Sequence, residues 1–228
     1  MLTGKRRYDR RSPTGLNPPP GVSPTFWRLL MDEPLGERTV LDIGTGTGRV
    51  ALALAPLCRR VIGVDRAAES IGEATRLAAR AKLDNVELVV GDVETGEYDA
   101  WRPDLVAAHL CMSDAIVARA GRALAPGRAF AFVAFHADQW RETGRASRFA
   151  YDEDKARRVL AEAGFVVEHL EVEREVRTFA SVEEALAAVI GLEERWKVDG
   201  RWFHYIRFLE EDGRTLTRSH LIVKARRT

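Results

Sequence analysis

The stretch RTVLDIGTGTGRVALAL, residues 38–54, decides how the rest of this 228-residue chain is read. A short apolar run, Val40, Leu41 and Ile43, ends in Gly44-Thr45-Gly46-Thr47-Gly48. Apolar residues then recur at helical spacing through Val50, Leu52 and Leu54. That order predicts a buried strand, a glycine turn and the start of a helix. Glycines let the backbone turn tightly and let a ligand approach where a side chain would block it. The helix beyond the turn points free N–H groups at whatever lies over it.

Spacing separates the ligands that such a loop can serve. The dinucleotide fingerprint G-x-G-x-x-G needs Gly or Ala at its sixth position, where the helix packs on the strand. Arg49 stands there, which disfavours an NAD-dependent oxidoreductase. No G-K-[ST] follows, so a P-loop is excluded as well. What remains is an acid-x-Gly-x-Gly-x-Gly pattern from Asp42 to Gly48. With this motif the chain resembles the class I S-adenosylmethionine-dependent methyltransferases. The resemblance implies an α/β fold: a doubly wound, mostly parallel seven-stranded sheet with an antiparallel C-terminal strand and helices on both faces.

Two further motifs follow in order. RVIGVD, residues 60–65, reads as a second buried strand ending in an acid seventeen positions beyond Gly48, the interval of a right-handed βαβ unit. An acid at this strand end can accept hydrogen bonds from both hydroxyls of a ribose, so Asp65 is the expected ribose ligand. The same oxygens could instead cap the helix that begins near Ala67. VELVV, residues 86–90, is a third strand, followed by Gly91-Asp92-Val93. The resemblance implies that Asp92 accepts from the adenine amino group and that Val93 donates its backbone N–H. It also implies cofactor contacts from Asp42, Gly44, Thr45, Gly46, Gly48, Arg66 and His109. Open parallel sheets bind ligands at the carboxyl ends of their strands, where these residues would gather.

The implied cofactor is S-adenosyl-L-methionine, with S-adenosyl-L-homocysteine as product. In-line methyl transfer needs little covalent help, and well-oriented reactants already account for roughly 7–11 kcal/mol of barrier. A hydroxyl acceptor must still lose a proton, a task for a histidine near its free pKa of ~6.5. His109 and His136 each terminate an expected strand at the mouth of the site and are the candidate catalytic residues. Each also fits a packed core histidine. The aromatic residues Trp196, Trp202, Phe203, Tyr205 and Phe208 could wall an acceptor pocket or simply face a core. The [ND]-P-P-[YF] signature of amino-methylating nucleic-acid enzymes is absent after the fourth strand, which reads His109-Leu110-Cys111-Met112. The expected acceptor is therefore a small molecule, at O, N or C. RNA or protein methylation using a basic N-terminal tail is the alternative, and a non-catalytic cofactor-binding regulator a third reading.

Composition sets the bounds. A net charge of +1 with 30% charged residues is ordinary for a globular chain and does not suit a protein built to coat nucleic acid. No apolar run approaches the ~20 residues that span a membrane, and the N-terminus lacks the apolar core of a signal peptide, so the expected location is cytoplasmic. Cys58 and Cys111 have no metal-like spacing; they read as free thiols, and no metal is expected.

Residues 1–22 are rich in Pro, Gly and basic residues and are expected to be extended, as a lid over the ligand with Tyr8 in contact or as a simple tail. Residues 23–228 are expected to form one domain. Basic residues at both ends (Lys5, Arg6, Arg7, Arg10 and Arg11; Lys224, Arg226 and Arg227) read as solvated tails. Ser23 or Thr25 caps a first helix, Ser113 another, and Ser181 one that runs through Leu192. A helical insertion at about 180–213 is expected between an alternating strand at 166–177 and a last strand at 216–225.

Overall fold

The computed structural model describes residues 17–228. Its strands are β1 (Thr39–Ile43), β2 (Arg60–Asp65), β3 (Val86–Val90), β4 (Leu105–His109), β5 (Ala129–Phe135), β6 (Phe165–Thr178) and β7 (Thr215–Arg227). They form a single seven-stranded sheet in the order β3-β2-β1-β4-β5-β7-β6. The first five pair in parallel, and β7 runs antiparallel to both neighbours. The order reverses between β1 and β4, so the glycine turn after β1 opens onto the switch point where such sheets bind ligands.

Side chains alternate across the sheet. Val40, Leu105, Ala107 and Val133 face α1 (Pro24–Met31) and α2 (Arg49–Leu54). Leu41, Ile43, Val106, Ala108 and Phe132 face α4 (Asp114–Ala123) and α5 (Glu153–Glu162). The helix α3 (Ala68–Arg80) lies against β2, β3 and α2. With both faces covered, the central strands are apolar throughout, as their sequences require. Helix starts follow local chemistry: the hydroxyls of Ser23, Ser113 and Ser181 accept from the amides three residues on, at 3.2, 3.4 and 3.2 Å.

β6 and β7 are much longer than the strands they join. β5 ends at Phe135, opposite His220, whereas β6 and β7 stay paired out to Thr178 and Thr215. Residues 215–219 therefore overhang the carboxyl edge of the parallel sheet, by about 17 Å at ~3.4 Å per residue. The tips carry three helices, α6 (Val182–Ala187), α7 (Glu193–Asp199) and α8 (Arg201–Glu210). These close on their own core of Phe179, Ala185, Val189, Trp196, Tyr205 and Leu209. The helix expected from Ser181 through Leu192 is thus corrected to one that ends at Ala187, with turns before α7. The Val189 amide donates to Leu186 O and the Leu192 amide to Val189 O, tight turns that bury both Val189 and Trp196.

The C-terminal basic run is corrected too. It is not a solvated tail but part of β7, because acids elsewhere in the fold neutralise it. Lys224 is 6% exposed, and its ammonium meets Glu33 Oε1 at 2.6 Å and the Leu29 carbonyl at 3.2 Å. Arg226 bridges Glu33 and Glu168, and Arg227 donates to the carbonyls of Gly121 and Gly164. The N-terminal basic run, Tyr8 and most of the expected lid lie outside the described residues. No helix among the described residues is long and apolar enough to cross a membrane.

Candidate active site

Gly44 and Gly48 both have positive φ, +67° and +83°, and turn the chain sharply from β1 into α2. A Cβ on Gly44 would fall 2.3 Å from Cys111 Cβ, so only glycine lets the loop after β4 pack here. Gly48 is the N-cap of α2 and has no side chain with which to cap it. Asp42 supplies the missing acceptor from within the strand. Its Oδ2 accepts from Thr45 Oγ1 at 2.6 Å and from the Ala51 amide at 3.1 Å. Burial pushes the Asp42 carboxyl up to about 7, against those two hydrogen bonds, which favour the charged form.

Asp65, at the end of β2, performs the same service from outside the loop. Oδ2 accepts from the Gly46 amide at 2.8 Å and Oδ1 from the Ala67 amide at 2.9 Å. Each oxygen keeps a further lone pair. Asp92 Oδ1 accepts from the Glu94 amide at 2.8 Å. Arg119 holds the turn after β3 by donating to the carbonyls of Glu94 and Gly96 at 2.6 and 2.9 Å, and Tyr98 donates to the Val93 carbonyl.

These elements border a cavity of about 660 Å³ along the carboxyl edge of the sheet. One end is lined by Gly44, Asp65, Arg66, Asp92, Val93 and Glu94, and its floor by Cys111, Met112 and Ile116. The other end is made by Phe135 and Trp140, the 145–149 loop, and Arg195, Val198, Asp199 and Arg201 of the helical layer. The 137–150 loop reaches this position because it is fastened to the β7 overhang. The Trp140 amide donates to Thr217 O at 2.9 Å, and the Thr217 and Ser219 amides donate to Glu142 and Gln139 at 2.9 and 2.6 Å. Leu110 and Trp140, both on the cavity wall, have left-handed φ of +61° and +57°. Strain of this kind, ~1–3 kcal/mol per residue, gathers at functional sites.

The structure thus brings Gly44, Asp65, Arg66, Asp92 and Val93 together around one space. Among the described residues, Asp42, Thr45, Gly46 and Gly48 do not line it; they brace the loop from behind or beside it.

Neither His109 nor His136, the candidate catalytic residues, lines the cavity. His109 shares the α1 face of β4: its Nε2 accepts from the Ser23 amide at 3.3 Å and its ring lies 5.5 Å from Phe26. Burial, helped by His220 and Arg49, pushes its pKa down to about 4. His136 is 6% exposed, with Nε2 3.2 Å from Glu153 Oε2 and Nδ1 accepting from the Asp138 amide at 3.2 Å. It joins β5, α5 and, through Ser219 Oγ at 3.0 Å, β7. Of the aromatic insertion, Trp196 and Tyr205 are fully buried in their own cluster, and none of the five expected residues lines the cavity. Their neighbours Arg195 and Arg201 do, as do Trp140, Arg145, Arg148 and Phe149, to which the sequence assigned no role. The arginine density of these segments was the only signal. No group of three or more His, Cys, Asp or Glu among the described residues is arranged to hold a metal ion.

Comparison with known proteins agrees with this geometry. A family described as a methyltransferase domain matches residues 36–194, well over half the chain. The chain belongs to that family. Among solved structures, a Bacillus halodurans C-125 protein superposes with a TM-score of 0.65 at 23% identity, covering 89% of this chain and 99% of that one. Magnesium protoporphyrin IX methyltransferase from Synechocystis PCC 6803, with bound S-adenosylhomocysteine, superposes at 0.60 and 16% identity, covering 90% and 80%. These likenesses show the fold. A protein-L-isoaspartate O-methyltransferase of Ruegeria is 43% identical over 61 residues, 27% of this chain and 28% of that protein. A mouse tRNA (uracil-5-)-methyltransferase homologue is 42% identical over 59 residues, 26% of this chain and 10% of that one. The match thus spans about a quarter or less of these curated relatives' length. The residues at the first end of the cavity fit S-adenosylmethionine, the cofactor that the sequence motifs imply. Gly44 presents bare backbone to the cavity, and the Asp65 and Asp92 carboxylates keep acceptor positions free for hydroxyl and amino donors.

Proposed function

We propose that this methyltransferase acts on a small-molecule acceptor held beside S-adenosylmethionine in this same cavity. The observation that carries this reading is the cavity itself. At about 660 Å³ it falls within the roughly 300–1,000 Å³ of small-molecule sites, and its far end is walled by Phe135, Trp140 and Phe149. Asp65 and Asp92 would hold the ribose and adenine, with Gly44, Arg66 and Val93 shaping the wall around them. When bound, the cofactor supplies an electrophilic methyl group on a sulfonium. The chain's own part is positional: Cys111, Met112 and Ile116 exclude water from the floor, and the strained Leu110 and Trp140 fix the two walls. Among the described residues no histidine lines the cavity, and burial pushes the Cys111 thiol up to about 11. An acceptor that is already deprotonated or is a free amine suits such a site, because positioning and desolvation then suffice.

RNA and protein acceptors, the substrates that the names of the curated relatives give, are the alternative. The test is transfer of a labelled methyl group from S-adenosylmethionine to three fractions of a cell extract: low-mass metabolites, RNA and protein. Label is expected in the low-mass fraction. Label confined to RNA or protein would overturn the reading.

A further inference from the structure

The acceptor end of the cavity carries four guanidinium groups, Arg145, Arg148, Arg195 and Arg201, against one carboxylate, Asp199, a net charge of +3. The three other lining acids, Asp65, Asp92 and Glu94, stand at the cofactor end. Arg201 is the buried member, 6% exposed, with its ring-stacking face 5.6 Å from Trp140. Its Nε donates to both Asp199 oxygens at 3.0 and 2.9 Å, and Nη2 takes Asp199 as well. Its Nη1 is buried and has no acceptor among the described residues. Two further buried donors in the same helical layer, Trp196 Nε1 and Tyr205 Oη, also lack partners, and Trp196 packs 5.2 Å from Trp140. Leaving a buried donor unpaired costs more than its hydrogen bond returns, so Arg201, the one of these three that lines the cavity, asks for a ligand atom. The layer is short of acceptors where the cavity is rich in cations.

We propose that the methyl acceptor is an anion, a small planar molecule with a carboxylate or phosphate seated on Arg201. Arg145, Arg148 and Arg195 ring the mouth, and Trp140, Phe135 and Phe149 take its body. A guanidinium fork matches either anion in charge and geometry, and the exposed arginines draw it in. This rests on the small-molecule reading above and narrows it to one charge class.

The test is calorimetric titration of the full chain saturated with S-adenosylhomocysteine. The probes are benzoate, phenyl phosphate, uncharged benzamide and an RNA oligonucleotide. Benzoate or phenyl phosphate is expected to bind at least ~tenfold more tightly than benzamide, and the better of the two identifies the anion. Arg201→Gln should remove that preference while leaving the affinity for S-adenosylhomocysteine unchanged. Because Arg201 is buried, the triple variant Arg145→Gln, Arg148→Gln, Arg195→Gln, at exposed positions, provides the second check. It should weaken anion binding and flatten its salt dependence. Equal binding of benzamide and benzoate, no binding of either anion, or indifference to both variants would overturn the proposal and leave the small-molecule reading standing. Tight, steeply salt-dependent RNA binding that displaces the anions would overturn both.

Discussion

The Gly46 amide donates to Asp65 Oδ2 at 2.8 Å, joining the glycine turn after β1 to the end of β2 across nineteen residues of sequence. The Ala67 amide takes the other oxygen. The ribose role and the capping role expected for Asp65 therefore do not exclude each other: the carboxylate is oriented by the backbone on one side and keeps lone pairs for the cavity on the other. Asp65→Ala is expected to weaken S-adenosylmethionine binding by about 1–3 kcal/mol. Titration calorimetry of the folded variant checks this, and unchanged affinity would remove Asp65 from the site.

Gly44 and Cys111 are a steric pair. Gly44→Ala puts a methyl group 2.3 Å from Cys111 Cβ and also places a non-glycine residue at a φ of +67°. Adding Cys111→Gly should recover the steric part and leave the left-handed penalty of about 1–2 kcal/mol. Chemical denaturation of the two single variants and the double variant closes the cycle. Additive losses would mean that the two residues do not meet.

Asp42 gives stability a pH slope. Its carboxyl titrates near 7 when folded, against 3.8 in the ordinary case. Between those values the folded chain binds a proton that the unfolded chain has lost, so this group's contribution falls as pH rises through the window and is lowest above about pH 7. Asp42→Asn keeps an acceptor for Thr45 and Ala51 and cannot ionise. Its melting temperature relative to the parent should climb from pH 5 to pH 8; parallel curves would contradict the buried charge.

His109 acts in the opposite sense. Its folded pKa of about 4 lies below the ordinary 6.5, so its contribution is complete above pH 6.5 and is lost as pH falls toward 4. His109→Gln should soften the acid limb of the melting curve. The same variant should leave the pH–rate profile of methyl transfer unshifted, because the ring faces α1. A lost limb in that profile would restore the histidine to the chemistry.

Glu33 neutralises Lys224 and Arg226 from the end of α1. Glu33→Gln leaves the buried lysine charge uncompensated and is expected to cost about 3–5 kcal/mol. Denaturant unfolding measures it, and a loss below about 1 kcal/mol would class the pair with surface ion pairs.

The sequence by itself determined the sheet and the cofactor edge, because the signals there are local. Apolar runs, the glycine spacing from Gly44 to Gly48 and the acids ending β2 and β3 each act within a few residues of backbone, and parallel strands bring their ends to one edge whatever the connecting helices do. Tertiary structure decided the rest. That His109 meets Ser23 and Phe26 depends on how α1 packs on β4, which its place at a strand end does not show. Lys224 reads as a solvated charge until α1 sets Glu33 beside it. The acceptor end joins residues 135–149 to residues 195–201 through an overhang of β6 and β7. Strand length beyond the last shared partner is set by long-range pairing, which no local period in the sequence encodes.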